Sequence, residues 1–164
     1  MKSLYIVRHA KSSWGDFSLP DIEMPLNDRG KNDAPMMARR LLDKNISIDA
    51  FISSPAKRAL KTCKLFCTEY KRDEKSIIIE EDLYHASVDT FYRVVSHIDD
   101  QFKTAAIFSH NPGITDFVNS LGLDVKIDNM PTCAVFGVKL ISDKWEDFKT
   151  GDKLFEFFQY PKLT

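Results

Sequence analysis

The sequence predicts an α/β protein, a three-layer α/β/α sandwich on a mostly parallel sheet of about six strands. Three observations carry this. Short apolar runs alternate along the chain with stretches that place apolar residues at helical spacing. Two of those runs stop at serine and lead directly into a helix start marked by proline. No repeat, low-complexity tract or linker interrupts the alternation, so the 164 residues are expected to form one domain over 1–164. Strands that alternate with helices produce a sheet covered on both faces.

The elements follow in order. Leu4-Tyr5-Ile6-Val7 is a buried first strand that ends abruptly at Arg8-His9. After a polar loop (12–26), Ala34, Met37, Ala38, Leu41 and Leu42 form one helical stripe, with Asn27 or Asp28 as N-cap. Pro35 falls early in that helix, where its missing N–H does least harm. Ala50-Phe51-Ile52 is a second strand. Ser54 then reads as an N-cap and Pro55 as the first residue of a helix that buries Ala56, Ala59, Leu60, Cys63, Cys67 and Tyr70. Ser76 to Glu80 reads as a third strand. Ser87 caps a helix with Phe91, Val94, Val95, Ile98 and Phe102 on its inner face. Thr104 to Phe108 is a fourth strand, followed by Asn111 as N-cap and Pro112 opening a helix that buries Ile114, Phe117, Val118 and Leu121. Cys133 to Ile141 and Leu154 to Tyr160 are two further strands, joined through Trp145 and a Thr150-Gly151-Asp152 turn.

Composition narrows the function classes. Hydrophobic residues make up 43% and charged residues 29%, the balance of a globular protein. A net charge of −1 gives no electrostatic reason to expect nucleic-acid or membrane binding, so any positive field must be local. Cys63, Cys67 and Cys133 cannot all pair within one chain. Cys63 and Cys67 are spaced to share a metal, but they lie among apolar residues with no histidine nearby, which fits core packing. Leu4 to Val7 is too short for a signal-peptide apolar region, and no run approaches the ~20 apolar residues of a membrane span. A reduced, cytoplasmic protein is expected.

The chemistry concentrates at strand ends. In open α/β sheets, ligands bind at the carboxyl edge of the strands. Arg8 and His9 lie at the first such edge and His110 at the fourth. Arg58 falls in the first turn of the helix begun near Pro55. A guanidinium there opposes its own helix dipole, which is poor for stability and sensible for an anion. Both cap-Pro helix starts also aim free N–H groups at the same edge. Two imidazoles and two guanidiniums around one edge suit a phosphoryl group, with His9 as nucleophile.

Val7-Arg8-His9-Ala10-Lys11-Ser12, Ser53-Ser54-Pro55-Ala56-Lys57-Arg58-Ala59 and Ser109-His110-Asn111-Pro112-Gly113 resemble the signature segments of the histidine phosphatase superfamily, also called phosphoglycerate mutase-like. Ala10, the Asn111-Pro112-Gly113 triplet, Pro25-Leu26 through Arg29-Gly30 and Pro161-Lys162 resemble its SixA-type phosphohistidine phosphatase branch. The resemblance implies a phosphoglycerate mutase-like fold and a metal-independent phosphatase that needs no cofactor. It makes His9 the nucleophile that takes the phosphoryl group, with Arg8, Arg58 and His110 gripping its oxygens. Asn111 and Ser12 are the further substrate-contact candidates. The expected partner is a protein bearing phosphohistidine or a small phosphorylated molecule.

Larger members of that family place a carboxylic acid after the third strand to protonate the leaving group. Here Glu80-Glu81-Asp82-Leu83-Tyr84-His85 offers several candidates and no clear one, in keeping with a phosphohistidine substrate, whose imidazole leaves more easily than an alkoxide. Met24 stands where relatives often carry Arg. Two alternatives remain at this point: a broad-specificity phosphomonoesterase, and a non-catalytic phosphate-binding module.

Overall fold

The computed structural model describes residues 1–163; Thr164, the last residue of the expected domain, lies outside the described residues. Six strands form one sheet: β1 (Lys2–Arg8), β2 (Ala50–Ser53), β3 (Ile78–Ile79), β4 (Thr104–Ser109), β5 (Val135–Leu140) and β6 (Lys153–Gln159). Their spatial order is β3-β2-β4-β1-β5-β6. The β3/β2, β2/β4 and β4/β1 pairs are parallel, while β5 runs antiparallel to both β1 and β6. The sheet is therefore mixed and mostly parallel, with β5 alone reversed.

Period-two alternation sorts the strand side chains into two cores. Leu4, Ile6, Ile52, Ala105, Ile107, Phe136 and Val138 face α3 (Val88–Ser96) and α4 (Gly113–Asn119), where Phe91 stacks on Phe117 at 4.8 Å. Tyr5, Val7, Phe51, Ala106, Phe108 and Val135 face α1 (Asp28–Asp43) and α2 (Lys57–Glu69). Asn27 caps α1 by accepting the Gly30 N–H at 2.8 Å. All three cysteines are free and buried, Cys63 and Cys67 in the second core with Cys133.

Several sequence expectations need correction. Helix α2 opens at Lys57 with Ala56 as its cap residue, not at Pro55; the Ser54 hydroxyl accepts the Ala56 N–H inside a preceding turn and is shared with His110. Helix α4 opens at Gly113, because the Asn111 side chain is bonded to Thr115, Asn129 and Met130 instead of capping. The third strand shrinks to Ile78–Ile79: Asp73 caps a 3-10 turn over Glu74–Ser76, and local capping of this kind competes with strand pairing. Leu42 is exposed, one residue past the buried stripe that ends at Leu41. Leu60, Tyr70 and Phe102 are half-buried, Phe102 because α3 stops at Ser96 and the chain turns before it. No described helix is long and apolar enough to cross a membrane.

Candidate active site

Three neighbouring strands end side by side and build the site. Arg8 pairs with Ser109 and Ser53 with Phe108, so the residues that follow β1, β4 and β2 emerge along one sheet edge. Two further backbone bonds, His9 N–H to the Ser109 carbonyl at 3.1 Å and Ser54 N–H to the Phe108 carbonyl at 3.0 Å, hold the strand exits together. The rings of His9 and His110 lie 5.2 Å apart as a result. Both are buried, at 6% and 7% exposure.

Each ring is oriented by a bond at one nitrogen. His9 Nδ1 lies 2.7 Å from the Ala10 carbonyl oxygen, an acceptor, so Nδ1 carries the proton and Nε2 keeps its lone pair. His110 Nε2 lies 2.7 Å from the Ser54 hydroxyl. Burial pushes the His9 pKa down to about 4, with Arg58 and Arg8 adding repulsion. Burial, then His9 and Arg58, push His110 down to about 3. Near pH 7 both rings are neutral.

The two arginines are anchored by protein oxygens. Arg8 donates to the Met130 carbonyl at 2.7 Å. Arg58 donates to the Asp21 carbonyl at 2.7 Å and its carboxylate at 3.0 Å. The Tyr84 hydroxyl donates to the same carboxylate and, with Arg58, holds Asp21 below the usual carboxylate range. Arg8 Nε and His110 Nδ1 are buried with no hydrogen-bond partner among the described residues. A buried polar atom left unpaired costs ~1–3 kcal/mol, so these two atoms mark the edge as a candidate ligand site.

Of the residues singled out from the sequence, Arg8, His9, Arg58 and His110 share this cluster. Asn111 sits at its rim, in a cavity of about 360 Å³ that His85, Ser87, His110 and Asp116 also line. Ser12 stands apart: it is buried and its backbone bridges Leu26, which ties the ends of the 13–25 strap. Within the acidic run, Asp82 turns outward to Arg93, whereas the Tyr84 and His85 rings lie 4.0 Å apart, tilted by 39°, with Tyr84 edge-on to His110. Met24 is buried.

Sequence reasoning missed Asp21, Tyr84 and Thr62. The Thr62 hydroxyl accepts the Ala10 N–H at 3.0 Å and donates to the Arg58 carbonyl at 2.8 Å. It therefore anchors the backbone at Ala10, the residue whose carbonyl orients His9. A polar residue on the buried face of α2 was the available signal. Asp21 gave none, since only the fold brings its loop to Arg58. Among the described residues, no cluster of three His, Cys, Asp or Glu side chains could hold a metal ion.

Comparison with known proteins places the fold and the family. The structure of the protein histidine phosphatase SixA complexed with tungstate superposes with a TM-score of 0.82 at 19% identity, over 97% of each chain. SixA from Agrobacterium tumefaciens gives 0.81 at 19% identity, over 98% of each chain. At that identity the likeness is one of fold. An uncharacterized chloroplastic protein of Arabidopsis thaliana is 38% identical over 63 residues, which span 38% of this chain and 29% of that relative's length. The family model of the histidine phosphatase superfamily (branch 1) matches residues 4–111, a stretch that contains Arg8, His9, Arg58 and His110. The chain belongs to the histidine phosphatase superfamily, branch 1.

Proposed function

We propose that this phosphatase is a single catalytic domain of the SixA type that cleaves phosphohistidine through an intermediate on His9. The observation that carries the reading is the His9 ring: Nδ1 is tied to the Ala10 carbonyl, and burial keeps the imidazole neutral. Its free Nε2 attacks phosphorus, forming a P–N bond as the bond to the leaving group breaks. Water then attacks phospho-His9, releasing inorganic phosphate and restoring the ring. Arg8, Arg58 and His110 hold the non-bridging oxygens and stabilise the charge that builds there. Ser54 accepts the Ala56 N–H and gives its own proton to His110 Nε2, which makes the orphan Nδ1 a donor to the phosphoryl oxygen. Asn111 contributes at the rim, and Ser12 through its pairing with Leu26. Tungstate in the SixA relative is an oxyanion of similar charge and shape to phosphate.

The proton donors near the site support one leaving group over another. Asp21 is held ionised by Arg58 and Tyr84 and cannot serve as an acid. Asp82 is turned to Arg93. An imidazole leaving group needs less help than an alkoxide, which favours phosphohistidine. One observation favours the second reading, a phosphomonoesterase: His85 lines the cavity beside His110 and could protonate an ester oxygen.

The test compares kcat/KM on a phosphohistidine-bearing protein and on a panel of alkyl phosphates, all with a chelator present. Faster cleavage of phosphohistidine is expected. Faster cleavage of alkyl esters would defeat the substrate reading, and a requirement for added metal would defeat the mechanism. His9→Ala should abolish turnover in a folded protein; an undiminished rate removes His9 from the nucleophile's place.

A further inference from the structure

A basic groove of about 340 Å³ runs between the start of α1 and the outer face of α2. Its floor is Pro25, Leu26 and Leu60, and its walls carry Lys31, Lys57, Lys61 and Lys64. None of these lysines forms an ion pair among the described residues. Lys57, Lys61 and Lys64 recur along one face of α2, a stripe of ~10 Å at 1.5 Å per residue. Like charges at these spacings repel one another, and the first opposes the helix dipole, so the stripe works against α2 itself. In a chain of net charge −1, it is a local positive field with an apolar base.

The groove is built from chain neighbours of the proposed site. Lys57 immediately precedes Arg58, and Pro25 and Leu26 are the residues that pair with Ser13 and Ser12 just beyond His9. We propose that it docks an acidic, amphipathic segment of the protein whose phosphohistidine enters the His9 pocket; this rests on the phosphohistidine reading above. Charge complementarity selects carboxylates on successive turns of the partner, and the apolar floor takes the residues between them. A lone phosphate would use one lysine and leave the floor uncovered.

The test uses the full chain and three matched fluorescent peptides of amphipathic pattern whose polar positions are all Glu, all Ser or all Lys. Binding is read by anisotropy at low and high salt. Each peptide is also supplied with a chemically phosphorylated histidine for turnover. The Glu peptide should bind about 10-fold more tightly than the Ser peptide, and salt should erase the difference. Lys61→Glu/Lys64→Glu should abolish the preference while turnover of p-nitrophenyl phosphate stays unchanged; Lys61→Ser/Lys64→Ser should reduce it. Equal affinity for all three peptides, or a preference that survives the double reversal, overturns the proposal. Tighter binding of inorganic tripolyphosphate than of the Glu peptide, lost on reversal, overturns it in favour of a small polyanion. Hydrolysis without acidic preference sinks the groove alone. Acidic preference without hydrolysis sinks the phosphohistidine reading and leaves the dock standing.

Discussion

Replacing Thr62 by valine removes the hydroxyl on which the Ala10 amide rests, with little change in volume. Ala10 is fully buried, so its N–H would be left without a partner. An unsatisfied buried donor costs ~1–3 kcal/mol, and valine restores none of it. The same residue presents, through its next peptide, the carbonyl that accepts from His9 Nδ1 at 2.7 Å. Loosening it lets the imidazole rotate away from its attack geometry. At ~1.4 kcal/mol per tenfold, kcat should fall roughly 10- to 100-fold while the urea midpoint drops in step. Thr62→Ser keeps the hydroxyl and should recover most of both. Paired urea titrations and single-turnover kinetics on an aryl phosphate decide the matter. A Thr62→Val protein within about 0.5 kcal/mol of wild type and of equal kcat would refute the argument that this hydroxyl orients His9.

Asp21→Asn removes a unit charge from Arg58. The carboxylate is 42% exposed, so stability should change by less than ~1 kcal/mol. Arg58 is then freer to attract an anion, and calorimetry should find inorganic phosphate bound about 5-fold more tightly, the equivalent of ~1 kcal/mol for one charge at ~4 Å in water; weaker binding would count against the competition. Acidification should destabilise the fold. The His9 pKa is about 4 in the folded state against ~6.5 unfolded, so the unfolded chain takes up its proton first, and stability is lost as pH falls from ~6.5 towards 4. His9 alone accounts for about 3 kcal/mol of that loss, and His110, at about 3, extends the window downward. Urea titrations of wild type and His9→Ala should diverge across this range, and parallel curves would contradict it. A Cβ at Gly30 would stand 2.2 Å from the Lys11 carbonyl oxygen, a backbone atom. Gly30→Ala should therefore cost at least ~2 kcal/mol in thermal unfolding.

Much of this was legible in the chain because apolar period and strand-end chemistry are local signals. β1, β2 and β4 fall where their apolar runs lie, and Arg8, His9, Arg58 and His110 are marked by residue type at the ends of those runs or in the helix turn that follows. Helix starts were less legible. Ser54 and Asn111 have cap chemistry, yet tertiary partners claim both: His110 for the first, Thr115 and Asn129 for the second. Asp21 and Tyr84 were illegible for a different reason. Their meeting at Arg58 joins two 3-10 turns and a helix across 63 residues of sequence, and no local pattern encodes such a contact.

The side-by-side exits of β2, β4 and β1 bear on how the chain comes to life. Ser54 reaches His110 across 56 residues and Ala10 reaches Thr62 across 52, so no short stretch of chain holds the whole site. Non-local parallel pairing is among the slower events of folding, because distant segments must close large loops before any contact rewards them. Helices can form early without creating a place for a phosphate. Catalytic competence is therefore a late reporter. During refolding, far-UV ellipticity should recover ahead of turnover, and a nascent chain stays inert until β4 has been inserted between β2 and β1.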